Sequence, residues 1–326
     1  MKPPVRMGVI GVGALGWHHA RHLAAMPEAT LIGIYDIRPE RAEFVARQLG
    51  TTAFRTREEL LARTEAVTIA VPTAVHGEVG LAALATGRPV LMEKPLAATM
   101  EEADALVLAA AAAGAMLQVG HIERFNPALR AAQGYVDRPL FIEGERLAPF
   151  QPRGTDVPVV LDLMIHELDL ILHLAGGPGV LDVRANGAAV ISPLLDVAHA
   201  RVEFDTGLVA SVTASRIAER RVRRLRVYQE EGYLALDLAT GQGEFLRLRN
   251  GWTPGDARAL HDVTERVPLE TPAADALRLE LEGFLAAVRG EQKALVSGEE
   301  GRAALSLALR VADAIRAVTP VPPYQP

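Results

Sequence analysis

The chain has 326 residues, 49 % of them hydrophobic and 23 % charged, enough for two domains with cores of their own. Its lack of cysteine excludes disulfides, thiolate nucleophiles, Cys-ligated zinc and iron–sulfur clusters. A net charge of −6 and a pI of 5.9 argue against nucleic-acid or anionic-membrane partners.

Over the first 120 residues, short β-branched runs alternate with helical patterns. Strands are predicted at 7–12, 29–35, 66–71, 90–93 and 116–120, and helices at 15–26, 39–49, 58–62, 75–86 and 100–113. This β-α-β-α order predicts an α/β domain over 1–120, a parallel sheet with helices on both faces. The longest apolar stretch, 105–117, has 13 residues. That is short of the roughly 18 a bilayer span needs, so a soluble, cytoplasmic protein is expected. Beyond 120 the texture changes. A helix near 127–136, a strand at 140–146, a Pro/Gly-rich loop at 147–158 and a strongly apolar helix at 159–175 are followed, from 180 to about 267, by strands between turn signals such as Asp205-Thr206-Gly207. Two helices, 274–289 and 299–317, close the chain. The expected second domain, 121–326, is α+β with a large, mostly antiparallel open sheet.

Gly11-Val12-Gly13-Ala14-Leu15-Gly16 follows a strand and opens a helix, the context in which GxGxxG binds a dinucleotide. Gly11 serves the tight turn, Gly13 the approach to a pyrophosphate, and Gly16 close helix–strand packing; the helix N-terminus faces the phosphates. Asp36 lies 25 residues after Gly11, at the end of the second strand. A carboxylate there reaches the adenosine ribose and repels a 2′-phosphate, favouring NAD over NADP in a Rossmann domain. Ile37 follows it, and Arg38 could stack on adenine or meet a phosphate.

Only three of the 34 basic residues are lysine: Lys2, Lys94 and Lys293. Lys94 sits in Glu93-Lys94-Pro95 at the end of the strand predicted at 90–93, where ligands of open α/β sheets bind. A titratable amine suits a group that shares a proton with a substrate hydroxyl; an arginine cannot do so. In the apolar helix 159–175, Asp162, His166 and Asp169 recur at helical spacing, so one face is expected to carry all three. His166 is a candidate general base with Asp162 beside it. A satisfied core histidine is the plainer alternative, and a divalent metal on the Asp–His–Asp face lacks a fuller ligand set; no metal is expected. His18 and His22, four apart on the first helix, could bind a metal or simply pack.

These features, in this order, resemble the glucose-fructose oxidoreductase/inositol dehydrogenase (Gfo/Idh/MocA) family over nearly the whole chain. The resemblance rests on the glycine loop, Asp36, Pro72-Thr73-x-x-His76, Glu93-Lys94-Pro95 and Asp162-x-x-x-His166. It implies an NAD-dependent oxidoreductase moving hydride at a sugar-type carbon, with Lys94, Asp162 and His166 around the reacting hydroxyl. It also places Pro72, Thr73, His76 and Glu93 toward the cofactor, and makes the open sheet a surface for homodimers or homotetramers. His121-Ile122-Glu123-Arg124-Phe125-Asn126-Pro127 and the segment 156–166 are similar to the nucleotide-sugar branch, the UDP-N-acetylglucosamine 3-dehydrogenases. Arg124, Asn126 and Arg153 are then candidates for a diphosphate or sugar hydroxyls. An NADP-linked reductase of a carbonyl or imine, and a non-catalytic NAD sensor, are the competing functions. The arginine run 220–226 is expected on a solvated strand edge or at a subunit contact.

Overall fold

The structure, a computed structural model, describes residues 2–151, 157–177, 179–249, 251–252 and 258–319. It divides into two compact units. The first joins the chain up to Ile122 with Asp275–Leu305; the second joins Glu123–Ala274 with the residues from Ser306 onward. The expected single cut after 120 falls two residues from Ile122, but the chain comes back: a late helix belongs to the first unit.

In the first unit the order is β1 (Val5–Ile10), α1 (Ala14–Ala25), β2 (Ala29–Tyr35), α2 (Pro39–Leu49), β3 (Thr52–Ala53), α3 (Arg57–Arg63), β4 (Ala66–Ile69), α4 (His76–Leu84), β5 (Val90–Glu93), α5 (Met100–Ala113) and β6 (Leu117–Gly120). The strands form one parallel sheet in the order β3-β2-β1-β4-β5-β6. Every residue of β4 and β6 is buried, Thr68 and Gln118 included, as strands covered on both faces must be. Thr56 and Thr99 cap α3 and α5, accepting the N–H of Glu59 and Glu102. Strand β3, only two residues long, escaped the sequence pattern.

The second unit holds α6 (Pro127–Ala132), β7 (Phe141–Leu147), α7 (Ile165–Leu174), β8 (Val180–Ala188), β9 (Val197–Phe204), β10 (Val209–Ser215), β11 (Val222–Gln229), β12 (Gly232–Asp237), β13 (Gln242–Leu248), α8 (Leu260–Val263) and β14 (Thr264–Pro268). Two helices then end the described chain, α9 (Ala276–Val288) and α10 (Gly298–Val318). Helix α9 returns to the first unit and buries Leu281, Phe284 and Leu285 in one cluster with Val9 of β1 and Leu23 of α1. Segment 296–297 lies along β6, with Val119 donating to the Val296 carbonyl at 3.0 Å, and so covers the sheet edge.

The eight-stranded sheet of the second unit runs β14-β13-β12-β11-β7-β10-β9-β8, antiparallel throughout except for the β7–β10 pair. Helices α6 and α7 pack on its inner face. A side chain on Gly144 would press on Glu167 at 3.2 Å, so this glycine lets α7 lie close to β7. The arginine run corrects the expected strand edge. It forms β11, an interior strand between β12 and β7 with a clean alternation. Leu225 and Val227 point inward, Arg223 reaches Glu123, and Arg224, Arg226 and Tyr228 lie on the outer face. No helix among the described residues is long and apolar enough to cross a membrane.

Candidate active site

The glycine loop joins β1 to α1 at the carboxyl edge of the parallel sheet. Gly11 takes φ +84°, a left-handed conformation, and a side chain there would meet the Ala70 carbonyl at 2.7 Å. At Gly16 a Cβ would lie 1.9 Å from the Gly11 carbonyl oxygen, so no other residue fits. Gly13 differs: a Cβ there would meet no protein atom within 4 Å. The space above it is the opening a pyrophosphate needs, at the N-terminus of α1, beside exposed Ala14.

Asp36 is buried at the end of β2. Its Oδ2 accepts the Val12 N–H at 2.9 Å and its Oδ1 accepts the Arg38 N–H at 3.0 Å, which fixes the carboxylate beside the loop. A carboxylate has about four acceptor positions, and with Arg38 Nε also donating to Oδ1, the one left on Oδ2 remains for a ribose hydroxyl. Arg38 folds its guanidinium toward Asp36 with Nε 3.4 Å away. Next to them Ile37 is 85 % exposed and Leu15 57 % exposed, an apolar pairing that suits the faces of an adenosine. Arg41, which sequence reasoning missed, donates to the Val12 carbonyl at 2.7 Å and braces the loop from α2. It belongs to no motif.

Lys94 follows β5 on the same sheet edge, partly buried, with a cis peptide to Pro95. The glutamate before it turns inward. Glu93 Oε2 accepts the Lys94 N–H at 3.2 Å, while Oε1 lies 2.8 Å from His19 Nε2 of α1. Burial, the largest influence on Glu93, pushes its pKa upward, but the His19 hydrogen bond and the charges of His19 and Lys94 hold it below the usual range. His76 is buried rather than facing a ligand. Its Nδ1 is 2.9 Å from the Pro95 carbonyl and its Nε2 3.0 Å from the Val71 carbonyl, so it ties the turn after β4 to the Lys94 turn. Burial lowers its pKa, so the neutral ring donates to one of these carbonyls at a time. Pro72 and Thr73 are the loop and short 3₁₀ turn leading into α4, Pro72 exposed and Thr73 partly so.

In the second unit the helix expected over 159–175 is not one α-helix. Residues Val160–Met164 form a π-helical turn before α7 begins. Asp162 lies in this wider turn, while His166 and Asp169 lie in the α-helix that follows. Asp162 is partly exposed, with Oδ2 4.0 Å from an Arg216 amine, whereas Asp169 is wholly buried and takes a bidentate pair from Arg124 at 2.7 and 2.8 Å. His166 is in the first turn of α7, 8 % exposed. Arg216, just past β10, was not foreseen; only the strand order brings it to Asp162.

Arg124 and Asn126 are engaged within the fold. Asn126 caps α6 through the Ala128 N–H and donates to Glu123 and to the Leu238 carbonyl. Glu123 also takes Arg146 at 2.7 Å, and Arg146 in turn meets Glu167 of α7 at 2.7 and 2.8 Å. Burial pushes Glu167 up to about 7 against the pull of Arg146, with the neighbouring Glu123 charge adding to the rise. This buried network anchors α7, and with it His166, to β7 and the 122–126 turn. Arg153 lies outside the described residues.

On the first helix, His22 Nε2 is 3.3 Å from Asp275 and His18 is exposed. Among the described residues, the one His/Asp/Glu group with ligand-like spacing is instead His19, Glu93 and Glu280.

Comparison with known proteins places these features. Residues 5–121 match the family model for the oxidoreductase family with NAD-binding Rossmann fold, and residues 130–235 match the GFO/IDH/MocA C-terminal domain. The chain is 38 % identical over 314 residues to a UDP-N-acetylglucosamine 3-dehydrogenase from Acidithiobacillus ferrooxidans, covering 96 % of this chain and 98 % of that one. A solved structure of that enzyme covers the same shares with a TM-score of 0.89. The scyllo-inositol 2-dehydrogenase (NAD(+)) of Bacillus subtilis is 31 % identical over 235 residues, 66 % of this chain and 68 % of that one.

Proposed function

The chain belongs to the Gfo/Idh/MocA oxidoreductase family, with NAD as the cofactor of its Rossmann domain, and we propose that it oxidises a sugar hydroxyl on a nucleotide sugar, UDP-N-acetylglucosamine at C3. The observation that carries the substrate is the near full-length likeness to the Acidithiobacillus ferrooxidans enzyme, 96 % of this chain at 38 % identity against 66 % at 31 % for the Bacillus subtilis inositol dehydrogenase. The first unit fits the cofactor on its own geometry: the open space at Gly13, the exposed Leu15 and Ile37, and the acceptor position left on Asp36. When bound, NAD supplies the hydride acceptor.

The residues divide the remaining work. Backbone N–H groups of the 11–16 loop and the start of α1 hold the pyrophosphate. Asp36 accepts from the adenosine ribose and disfavours a 2′-phosphate, so NAD is preferred to NADP. Lys94 donates a hydrogen bond to the substrate oxygen, and His166 takes the hydroxyl proton, with Asp162 and Arg216 beside it setting the charge it meets. Arg124 and Asn126, occupied by Asp169, Glu123 and the α6 cap, act as the frame behind α7 rather than as diphosphate ligands. The outer face of the eight-stranded sheet, with exposed Arg226 and partly exposed Glu143 and stacked Tyr228 and Tyr233, supports a homodimer or homotetramer.

The test is NADH formation across UDP-sugars and free polyols, with identification of the oxidised product. A 3-keto product from UDP-N-acetylglucosamine is expected. Turnover of inositols with none of any UDP-sugar would overturn the substrate assignment, and a monomer by light scattering would overturn the assembly.

A further inference from the structure

Behind the Lys94 turn, α1, β5 and α9 bring together three residues that the function above does not use. Glu280 of α9 has no exposed surface, and neither carboxylate oxygen has a hydrogen-bond partner among the described residues. One of its oxygens lies within 4.8 Å of ligand atoms of both His19 and Glu93. The Glu93–His19 pair is already complete: the Thr68 hydroxyl meets His19 Nδ1 at 3.0 Å, His19 Nε2 meets Glu93 Oε1, and Glu93 Oε2 holds the Lys94 N–H. Gly120 keeps this corner clear, since a Cβ there would come within 3.2 Å of Glu93 Oε2.

A buried polar group without a partner is costly, and a second buried carboxylate facing Glu93 would be costlier still. Two remedies exist, a divalent cation or a proton. A cation would need the His19 and Glu93 atoms that already satisfy each other. A proton needs only Glu280 itself, which as an acid can donate toward Glu93 across one water or a small side-chain shift.

We propose that Glu280 is carried as a neutral carboxylic acid whose proton is shared with the Glu93–His19 pair, making it a positioning residue for the Lys94 turn. The surroundings agree. Burial first, and the Glu93 charge second, raise Glu280 well above the ordinary carboxylate range. Where α1 meets α9, His22 and Asp275 pair with each other at 3.3 Å, with Arg21, Glu28 and Arg278 the further charges nearby. Lys94 is the remaining charge acting on Glu93. Glu93 therefore stays the single anion of the cluster, both oxygens committed, and the backbone of the residue proposed to hold the substrate hydroxyl is fixed through it. The positioning role rests on the assignment of Lys94; the proton does not.

The experiment compares the full-length wild type with Glu280→Gln and Glu280→Leu. A folded state that retains one proton the unfolded chain releases makes wild-type stability fall relative to Glu280→Gln by about tenfold in the unfolding constant per pH unit, from pH 5 upward. Infrared difference spectra at pH 7 should show an un-ionised carboxyl C=O stretch in the wild type that is missing from Glu280→Gln. Glu280→Leu should lower kcat about tenfold more than Glu280→Gln, at equal NAD affinity. A pH-independent stability difference, or one equivalent of divalent metal in the purified protein, overturns the proposal. If Lys94→Ala keeps full turnover while the pH slope stands, it is the Lys94 assignment that falls and the buried acid that survives.

Discussion

Replacing Gly13 with alanine separates binding from folding at one atom. The glycine has a negative φ of −65°, and an added Cβ meets no protein atom within 4 Å. The substitution should therefore leave the fold intact, with stability within about 1 kcal/mol of wild type. The same methyl occupies the space assigned to the pyrophosphate. Losing one charge-assisted hydrogen bond of about 1.5–3 kcal/mol weakens NAD by roughly 10- to 150-fold. Gly16→Ala provides the contrast, since its Cβ would lie 1.9 Å from the Gly11 carbonyl oxygen and must move backbone. Calorimetric titration with NAD and thermal unfolding of both variants decide the matter. Wild-type NAD affinity in Gly13→Ala, or a loss of stability as large as that of Gly16→Ala, would refute the pyrophosphate placement.

Three further outcomes are expected. Lys94→Ala and His166→Ala should each lower kcat by about 10²–10⁴ with NAD affinity within a few-fold of wild type; full turnover in both would remove the proposed chemistry. Arg124→Met strands the buried Asp169 carboxylate and should destabilise by about 3–5 kcal/mol, largely recovered in Arg124→Met/Asp169→Leu, whereas unchanged stability with a raised substrate KM would return Arg124 to the substrate site. Glu167, at about 7 when folded against 4.5 unfolded, stabilises fully below pH 4.5 and loses this as pH rises to 7, by about 3 kcal/mol at 1.36 per unit. Urea unfolding of wild type and Glu167→Gln from pH 5 to 7.5 should show the gap shift toward the variant with pH; a constant gap would refute it.

Particular residues show what could be read in advance. The strand–glycine–helix start and Asp36 at the end of β2 are local, because a dinucleotide is held by one β-α-β unit whose parts are close in the chain. The antiparallel sheet beyond residue 180 was legible through its turn signals, although the position of β11 in that sheet was not. Strand β3 was too short to carry a period. The π-helical turn at Val160–Met164 leaves no mark in an apolar run, and neither does the pair that Asp169 makes with Arg124.

Sequence alone determined the class of the protein: a parallel α/β sheet opened by a dinucleotide loop, a second domain around a mostly antiparallel sheet, and Lys94, Asp162 and His166 as the residues worth testing. These follow from hydrophobic period, turn chemistry and short motifs, all set by neighbours in the chain. Tertiary structure alone decided which charges are spent inside. Arg124 was free to meet a ligand until α7 brought Asp169 to it, and His76 until its two carbonyls were placed. His19 and Glu280 became a pair of interest only because α9 returns to the first unit. A charge taken out of water must find a partner, and that partner is chosen by packing across hundreds of residues rather than by spacing along the chain.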